Sequence, residues 1–314
     1  MTEHPAARAV AFLRERGRRS VGLVGDRGAG ASSDLAAHAA ATGADGVFDP
    51  ERFDGSEPPS FDALVVAEAF GPAMRRLAPV MAHDVVVLPA DPDWAAPAAV
   101  RQADEPTAAW ATTAETNYVA RSALKGHYVE FGTFWGRAFF PAYFTLRHFL
   151  AGRFFAFDSF AGLSAPSEAE SALTGGDFQE GAYACNQGSF ETLAAYLGMP
   201  EERLVVAPGF YDDSLARGSD AYGLAPRSVS VCAIDCDLYG PTAQALAFVT
   251  PLLEDGALVY FDDWRLCRAS PHVGERAAAL DWLAAHPEIE LIDLPTDRSV
   301  PGSWQHQWFI VQRR

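Results

Sequence analysis

Cations are scarce in this chain. Its 314 residues carry 24 Lys and Arg against 41 Asp and Glu, a formal charge of -17 with pI near 4.8. Sequence-independent binding to nucleic acid or to anionic membranes needs cationic surface, so neither is expected. Cysteine is also sparse: Cys185, Cys232, Cys236 and Cys267 show no metal-type pair spacing. Two of them lie in or beside one apolar strand, which speaks against a disulfide framework and for a reducing compartment. No 18 apolar residues run together, and the N-terminal "MTEHPAARAVAFLRERGRRS" has no apolar core of signal-peptide length. A cytoplasmic protein acting on a small molecule is the expectation. No internal repeat stands out.

What is present is alternation. "SVGLVGD", "GVFDP", "FDALVVAEAF" and "VVVLPA" read as short apolar strands, with amphipathic stretches between them, over residues 1–90. That is the pattern of a small α/β domain. A Pro- and Ala-rich stretch over 91–112 reads as a linker. From 113 to 314 the alternation restarts with longer units and seven strand signals. The last two lack a helix between them, so a mostly parallel sheet with an antiparallel final strand is predicted. Ligands of such sheets bind beyond the carboxyl ends of the strands.

Two glycine runs follow strands. "GLVGDRGAG" (22–30) lacks the Gly-Lys-Ser/Thr of a P-loop and has no dinucleotide spacing. A ligand cradle containing Arg27 and an ordinary strand-to-helix turn are both open readings. "VEFGTFWGRAF" (129–139) sets Glu130, Gly132 and Gly136 around a turn before a helix. There Gly132 would let a ligand approach the backbone and the helix N-terminus would present amides. One strand later "FAFDSFAGL" puts Asp158 at a carboxyl end, in place for ribose hydroxyls or for a helix cap.

The densest signal is a pair of acid doublets, "IDCDLYGPT" (234–242) and "VYFDDW" (259–264). Asp235 and Asp237 project to one side, roughly 6 to 7 Å apart if the strand persists. Asp262 and Asp263 can both enter a site only if the chain turns, as it does at a strand end. Converging carboxylates repel unless a cation compensates, and an all-oxygen donor set suits Mg²⁺. Asp is also a common helix cap, and both doublets precede helical stretches.

In order and spacing, "YVEFGTFWG", "FDSFAGL", "GSFETLAAYLGMPEERLVVAPGFYDDSL", "IDCDLYGPT" and "LVYFDDW" resemble the macrocin O-methyltransferase family of natural-product sugar methyltransferases, over residues 115–314. The resemblance implies a Rossmann-like class I methyltransferase domain of seven strands with the last antiparallel; it says nothing about the smaller α/β domain that precedes it, which the family does not normally carry. It implies S-adenosylmethionine and Mg²⁺ as cofactors and a sugar or other polyoxygenated acceptor. Glu130, Gly132, Gly136, Asp158, Ser159 and Ser189 fall among the cofactor residues. Asp235, Asp262 and Asp263 match the metal ligands, and Asp237 the general base. His272 and His306 are candidates to share the proton work, and Tyr239 to orient the acceptor. Tyr118 and Arg121 lie in a segment that can cover the active site. His127, Trp264 and Gly240-Pro241 depart from the family pattern. A homo-oligomer, a dimer, is expected, with residues 1–110 mediating assembly. The rival expectations are a metal-dependent hydrolase or phosphotransferase, and a non-catalytic cofactor-binding subunit.

Overall fold

Short β-branched runs bounded by turns become strands here, and each alternation predicted from sequence is found. The computed structural model describes residues 5–25, 31–53, 55–68, 70–95, 114–294 and 304–314. Residues 26–30, with Arg27 of the first glycine run, and most of the predicted linker lie outside them. The chain divides into two compact units.

The first unit comprises Met1–Ala95 and Tyr183–Met199. Strands β1 (Val21–Val24), β2 (Gly46–Val47), β3 (Ala63–Val66) and β4 (Val86–Pro89) form an all-parallel sheet in the order β2-β1-β3-β4. A helix the sequence reading did not single out, Pro5–Glu15, buries Ala6, Ala9, Val10 and Leu13, one helical stripe.

Tyr183–Met199 differs from the sequence-based division, which placed it in the second domain. The reason lies in the edge strand β4. An edge strand has a row of backbone groups without a strand partner. Asn186 donates through its side-chain amide to the carbonyls of His83 and Val85, at 2.9 and 3.0 Å. The Ser189 hydroxyl accepts from the Val87 amide at 3.0 Å, and Pro89 has no N–H to satisfy. Tyr196 donates to the Ala90 carbonyl at 3.1 Å and meets the ring of Phe12 edge-on. Asn186 also caps its own helix, Gln187–Tyr196.

The second unit, Ala96–Ala182 and Pro200–Arg314, holds the larger sheet. Its strands are β5 (His127–Phe131), β6 (Phe154–Asp158), β7 (Leu204–Pro208), β8 (Val229–Ile234), β9 (Leu253–Phe261), β10 (Ile289–Leu294) and β11 (Gln307–Arg313). Their order is β10-β11-β9-β8-β5-β6-β7, and β11 alone runs against its neighbours. The predicted antiparallel return is therefore present. Inner strands such as β8, "VSVCAI", are buried along their whole length, as parallel strands covered on both faces must be. On one face Val129, Phe131, Val259 and Phe261 pack with Leu246, Val249 and Trp282 of the helices Tyr239–Val249 and Gly274–Ala285. Aromatic rings fill the other face: Tyr128 stacks on Phe154 at 5.2 Å, and Tyr260 lies 4.7 Å from Trp308. All four cysteines are buried and free.

Strand order reverses between β8 and β5, and such a switch point opens a crevice at the carboxyl ends. The ladder continues one residue past the strands there. Gly132 donates to Phe157, Asp235 to Phe131 and Asp262 to Ile234, at 2.9 to 3.0 Å. Asp158, Gly132, Asp235 and Asp262 thus share one rung across four adjacent strands.

Candidate active site

The loop after β5 is tied down by Asp158. One oxygen of this buried carboxylate accepts from the amides of Thr133 and Phe134, at 2.7 and 2.8 Å, and the other from Phe160 at 2.7 Å. Burial raises the Asp158 pKa, and those amides pull against the rise. The acid predicted to hold ribose therefore first shapes the turn that a cofactor would meet. Ser159 is also engaged locally, donating to the Gly162 carbonyl and accepting from the Ala161 amide.

Gly132 also serves the chain itself. At φ +86°, a Cβ there would lie 1.7 Å from the Asp235 carbonyl oxygen. The glycine allows β5 and β8 to approach at the switch point. Gly136, at φ +89°, similarly makes room for the ring of Phe140.

Glu130 lies two rungs below, between Ala156 and Ala233, buried to 1 % exposure. Tyr128 donates its hydroxyl to one carboxylate oxygen, while Oε1 has no hydrogen-bond partner. Burial pushes its pKa up to about 8, assisted by Asp158 and Asp262 and opposed by the Tyr128 hydrogen bond. The sign of the consequence is fixed. Unfolded, the group titrates near 4.5; folded, it keeps its proton to about 8, so stability falls as pH rises through that window. Glu130→Gln is expected to flatten the fall. Thermal midpoints of the ligand-free protein at about pH 5 and pH 8 measure it. An unchanged pH slope in the variant would contradict the assignment.

The two doublets meet at the tips of β8 and β9. Asp262 and Asp263 are buried, whereas Asp235 and Asp237 keep a partly open side. Tyr260 donates to one oxygen of Asp262, and the other lies 4.0 Å from the Arg137 guanidinium. Gln305 donates to Asp263 at 3.2 Å. The carboxyls of Asp237 and Asp263 are within hydrogen-bond reach of each other. Burial, then repulsion from Asp262 and Asp237, drives the Asp235 pKa well above the usual range. Asp237 rises to about 8 through burial and the nearby Glu275, and Asp263 rises through burial and Asp237. Like charges this close cannot all ionise without a compensating cation. Arg137 supplies part of that charge. Among the described residues no three His, Cys, Asp or Glu side chains are arranged to enclose a metal ion.

Two members of this site escaped the sequence reading. Arg137 directly follows Gly136 of the second glycine turn. Glu275, buried to 1 %, accepts from the backbone of both doublets. No local motif announces either, since each matters through a partner more than a hundred, or a dozen or so, residues away in sequence.

Other expected residues fall elsewhere. Ser189, read as an adenine neighbour, belongs to the first unit, where its hydroxyl serves Val87. His272 is exposed, on the wall of a cleft of about 610 Å³ shared with Ser164, Tyr239, Gly240, Pro241 and Asp281. Tyr239 leads into that cleft and donates to Asp281 at 2.8 Å. His306 is buried beside Tyr260, and burial lowers its pKa, keeping the ring neutral. Tyr118 donates to the Gly256 carbonyl, near the end of β9 opposite the acids, so it does not cover them. Arg121 hydrogen-bonds Asn117 on its own helix. Trp264 packs against Phe309 at 4.8 Å and Phe261, a core contact. His127 accepts the Arg153 amide on its ring nitrogen, a structural use of that departure.

A sheet of this order, with its reversed strand next to the edge, a glycine turn after the central strand and acids at the neighbouring tips, defines the class I methyltransferase fold. S-adenosylmethionine use is characteristic of it. The profile of the macrocin O-methyltransferase (TylF) family matches residues 111–280, more than half of the chain, and the protein belongs to that family. It is a methyltransferase, which sets aside the hydrolase, phosphotransferase and non-catalytic readings. Similar solved structures include the O-methyltransferase NovP, 20% identical, covering 63% of this chain and 76% of that one with a TM-score of 0.49. The calicheamicin methyltransferase CalS11 is 23% identical, with coverage of 62% and 77% and a TM-score of 0.49. TomG from Streptomyces achromogenes, solved with S-adenosylmethionine, is 17% identical, with coverage of 63% and 76% and a TM-score of 0.40. No curated protein sequence matches the chain. No described helix is long and apolar enough to cross a membrane.

Proposed function

We propose that the protein methylates a hydroxyl of an uncharged, polyhydroxylated acceptor, a sugar or similar natural product, with Mg²⁺ assistance. The observation that carries this reading is the pair of acid doublets, Asp235 with Asp237 and Asp262 with Asp263, brought together beside the glycine turn at the switch point. Their donor atoms are all carboxylate oxygens, and burial with the neighbouring acids raises the pKa values of Asp235, Asp237 and Asp263, the chemistry that a hard divalent cation satisfies.

The residues also fit the methyl donor. Glu130 Oε1, buried and unpartnered, is an acceptor suited to an ammonium group, and the turn 132–136 is held open by Asp158. S-adenosylmethionine, when bound, supplies a methyl group on a positively charged sulfur. A divalent cation held by Asp235, Asp262 and Asp263 would supply charge that lowers the pKa of an acceptor hydroxyl. Asp237, partly open and next to that acid pair, takes the hydroxyl proton as the oxygen attacks. Arg137 offsets part of the negative charge around Asp262. Fixing acceptor and donor in one crevice contributes much of the rate, roughly 7 to 11 kcal/mol for well-oriented reactants.

The cleft beside the acids speaks to the acceptor. Leu238, the neighbour of Asp237, lines it, and no Lys or Arg does among the described residues. Asp281 and Glu170 contribute negative charge. A phosphate-bearing acceptor would meet no Lys or Arg among the described residues there, with His272 the one basic side chain on the wall. Mass-spectrometric assay of neutral glycosides against nucleotide-linked sugars, each with S-adenosylmethionine and Mg²⁺, should show methyl transfer to the neutral set. Preference for the nucleotide-linked set would overturn the acceptor class.

A further inference from the structure

Asp237 does not sit on a relaxed backbone. Leu238 donates its amide to the Cys236 carbonyl at 2.6 Å, closing a three-residue turn around Asp237, whose φ is +61°. This is the strained kind of γ-turn. A non-glycine residue stays in such a conformation only where its surroundings over-determine it.

The surroundings are one side chain. Glu275 Oε1 accepts from the amides of Cys236 and Asp237, at 2.9 and 3.3 Å, and Oε2 accepts from Asp263 at 2.9 Å. A single buried carboxylate therefore gathers three amides from the tips of two strands. Glu275 lies in the first turn of the helix Gly274–Ala285, where unpaired amides favour negative charge. Gly274 opens the helix at φ +71°, a conformation that favours glycine, and a Cβ there would be in ordinary contact range of Cys267 Sγ and the Asp237 carbonyl oxygen. Both oxygens of Glu275 are thus committed to backbone, and none is left to act on substrate directly.

We propose that Glu275 is a positioning residue that locks Asp237 in its left-handed turn and fixes it against Asp263, giving the base and the acid pair one geometry. This rests on the reading of Asp237 as the base. A glutamine at 275 keeps the shape but only one accepting oxygen. Its NH₂ would then face either the Asp263 amide or the Cys236 and Asp237 amides, donor against donor.

The test is a double-mutant cycle read by kcat, with calorimetry of S-adenosylhomocysteine as a control for an intact cofactor site. Glu275→Gln alone should lower kcat by on the order of 10- to 100-fold, the range that misplacement of a reacting group produces. Affinity for S-adenosylhomocysteine should change by no more than about twofold. In the Asp237→Asn background the same substitution should cost clearly less, because the part of its effect that passes through Asp237 is already lost. Wild-type kcat in Glu275→Gln, or an equal loss in both backgrounds, overturns the positioning role. A wild-type rate in Asp237→Asn alone removes the base assignment, and the proposal with it, and is seen separately. If Glu275→Gln does not fold, hydrogen exchange of the wild-type protein decides. Slow exchange at Cys236, Asp237 and Asp263 supports the lock, and fast exchange at these amides overturns it.

Discussion

Asp237→Asn lowers turnover by on the order of 10²-fold or more while leaving S-adenosylmethionine affinity nearly unchanged; this is the first expected result of the proposed mechanism. The substitution is well suited to the position. Asn is close in shape to Asp and among the residues that tolerate positive φ, so the turn at +61° and the amide bond to Glu275 are retained. What disappears is the oxygen that accepts the proton. The cofactor turn 132–136 is held by Asp158, not by Asp237, so donor binding has no reason to change. The pH profile adds a second readout. Only the ionised carboxylate is a base, and burial holds its pKa at about 8 when no cation is bound. A bound cation would lower that pKa, so the Mg²⁺-dependent wild-type rate should rise with pH along a limb below about 8. The limb should be absent in the variant. Single-turnover kinetics with calorimetry of the donor check both parts, and normal turnover in the variant would defeat the base assignment.

The sequence disclosed the strands and their tips more readily than the side chains that organise them. Apolar runs such as "VSVCAI" and "QWFIVQR" are strands because both faces are buried, and the missing helix before the last run announces the antiparallel return. The doublets were visible for the same reason: charge at the end of a buried run stands out. Glu275 was not, because it lies in an ordinary helical stretch and acts through backbone amides of other segments. Arg137 was hidden by its place in a glycine turn. Gly132 shows a second use that sequence hides: only with Asp235 seen against it does the approach of two strands explain the glycine. The segment around Ser189 looks like any crossover helix in sequence, and only the unpaired groups of β4, met by Asn186 and Ser189, show why it joins the first unit.

The second large effect is the removal of divalent metal. Asp235, Asp237 and Asp263 all have raised pKa values, and Arg137 is the cation that offsets each of them, from a half-buried position. Without further positive charge the cluster retains protons near neutral pH, so neither ligand nor base is in its working form. A divalent ion held by Asp235, Asp262 and Asp263 would let these carboxylates ionise and would polarise the acceptor hydroxyl, an effect worth several kcal/mol, or at least ~10²-fold in rate. Neutral pH and saturating donor and acceptor isolate that effect. The decisive measurement is the methyl-transfer rate after exhaustive chelation, followed through a Mg²⁺ titration. The mechanism predicts a rate lost in chelator and restored by Mg²⁺; a rate indifferent to chelator would contradict it.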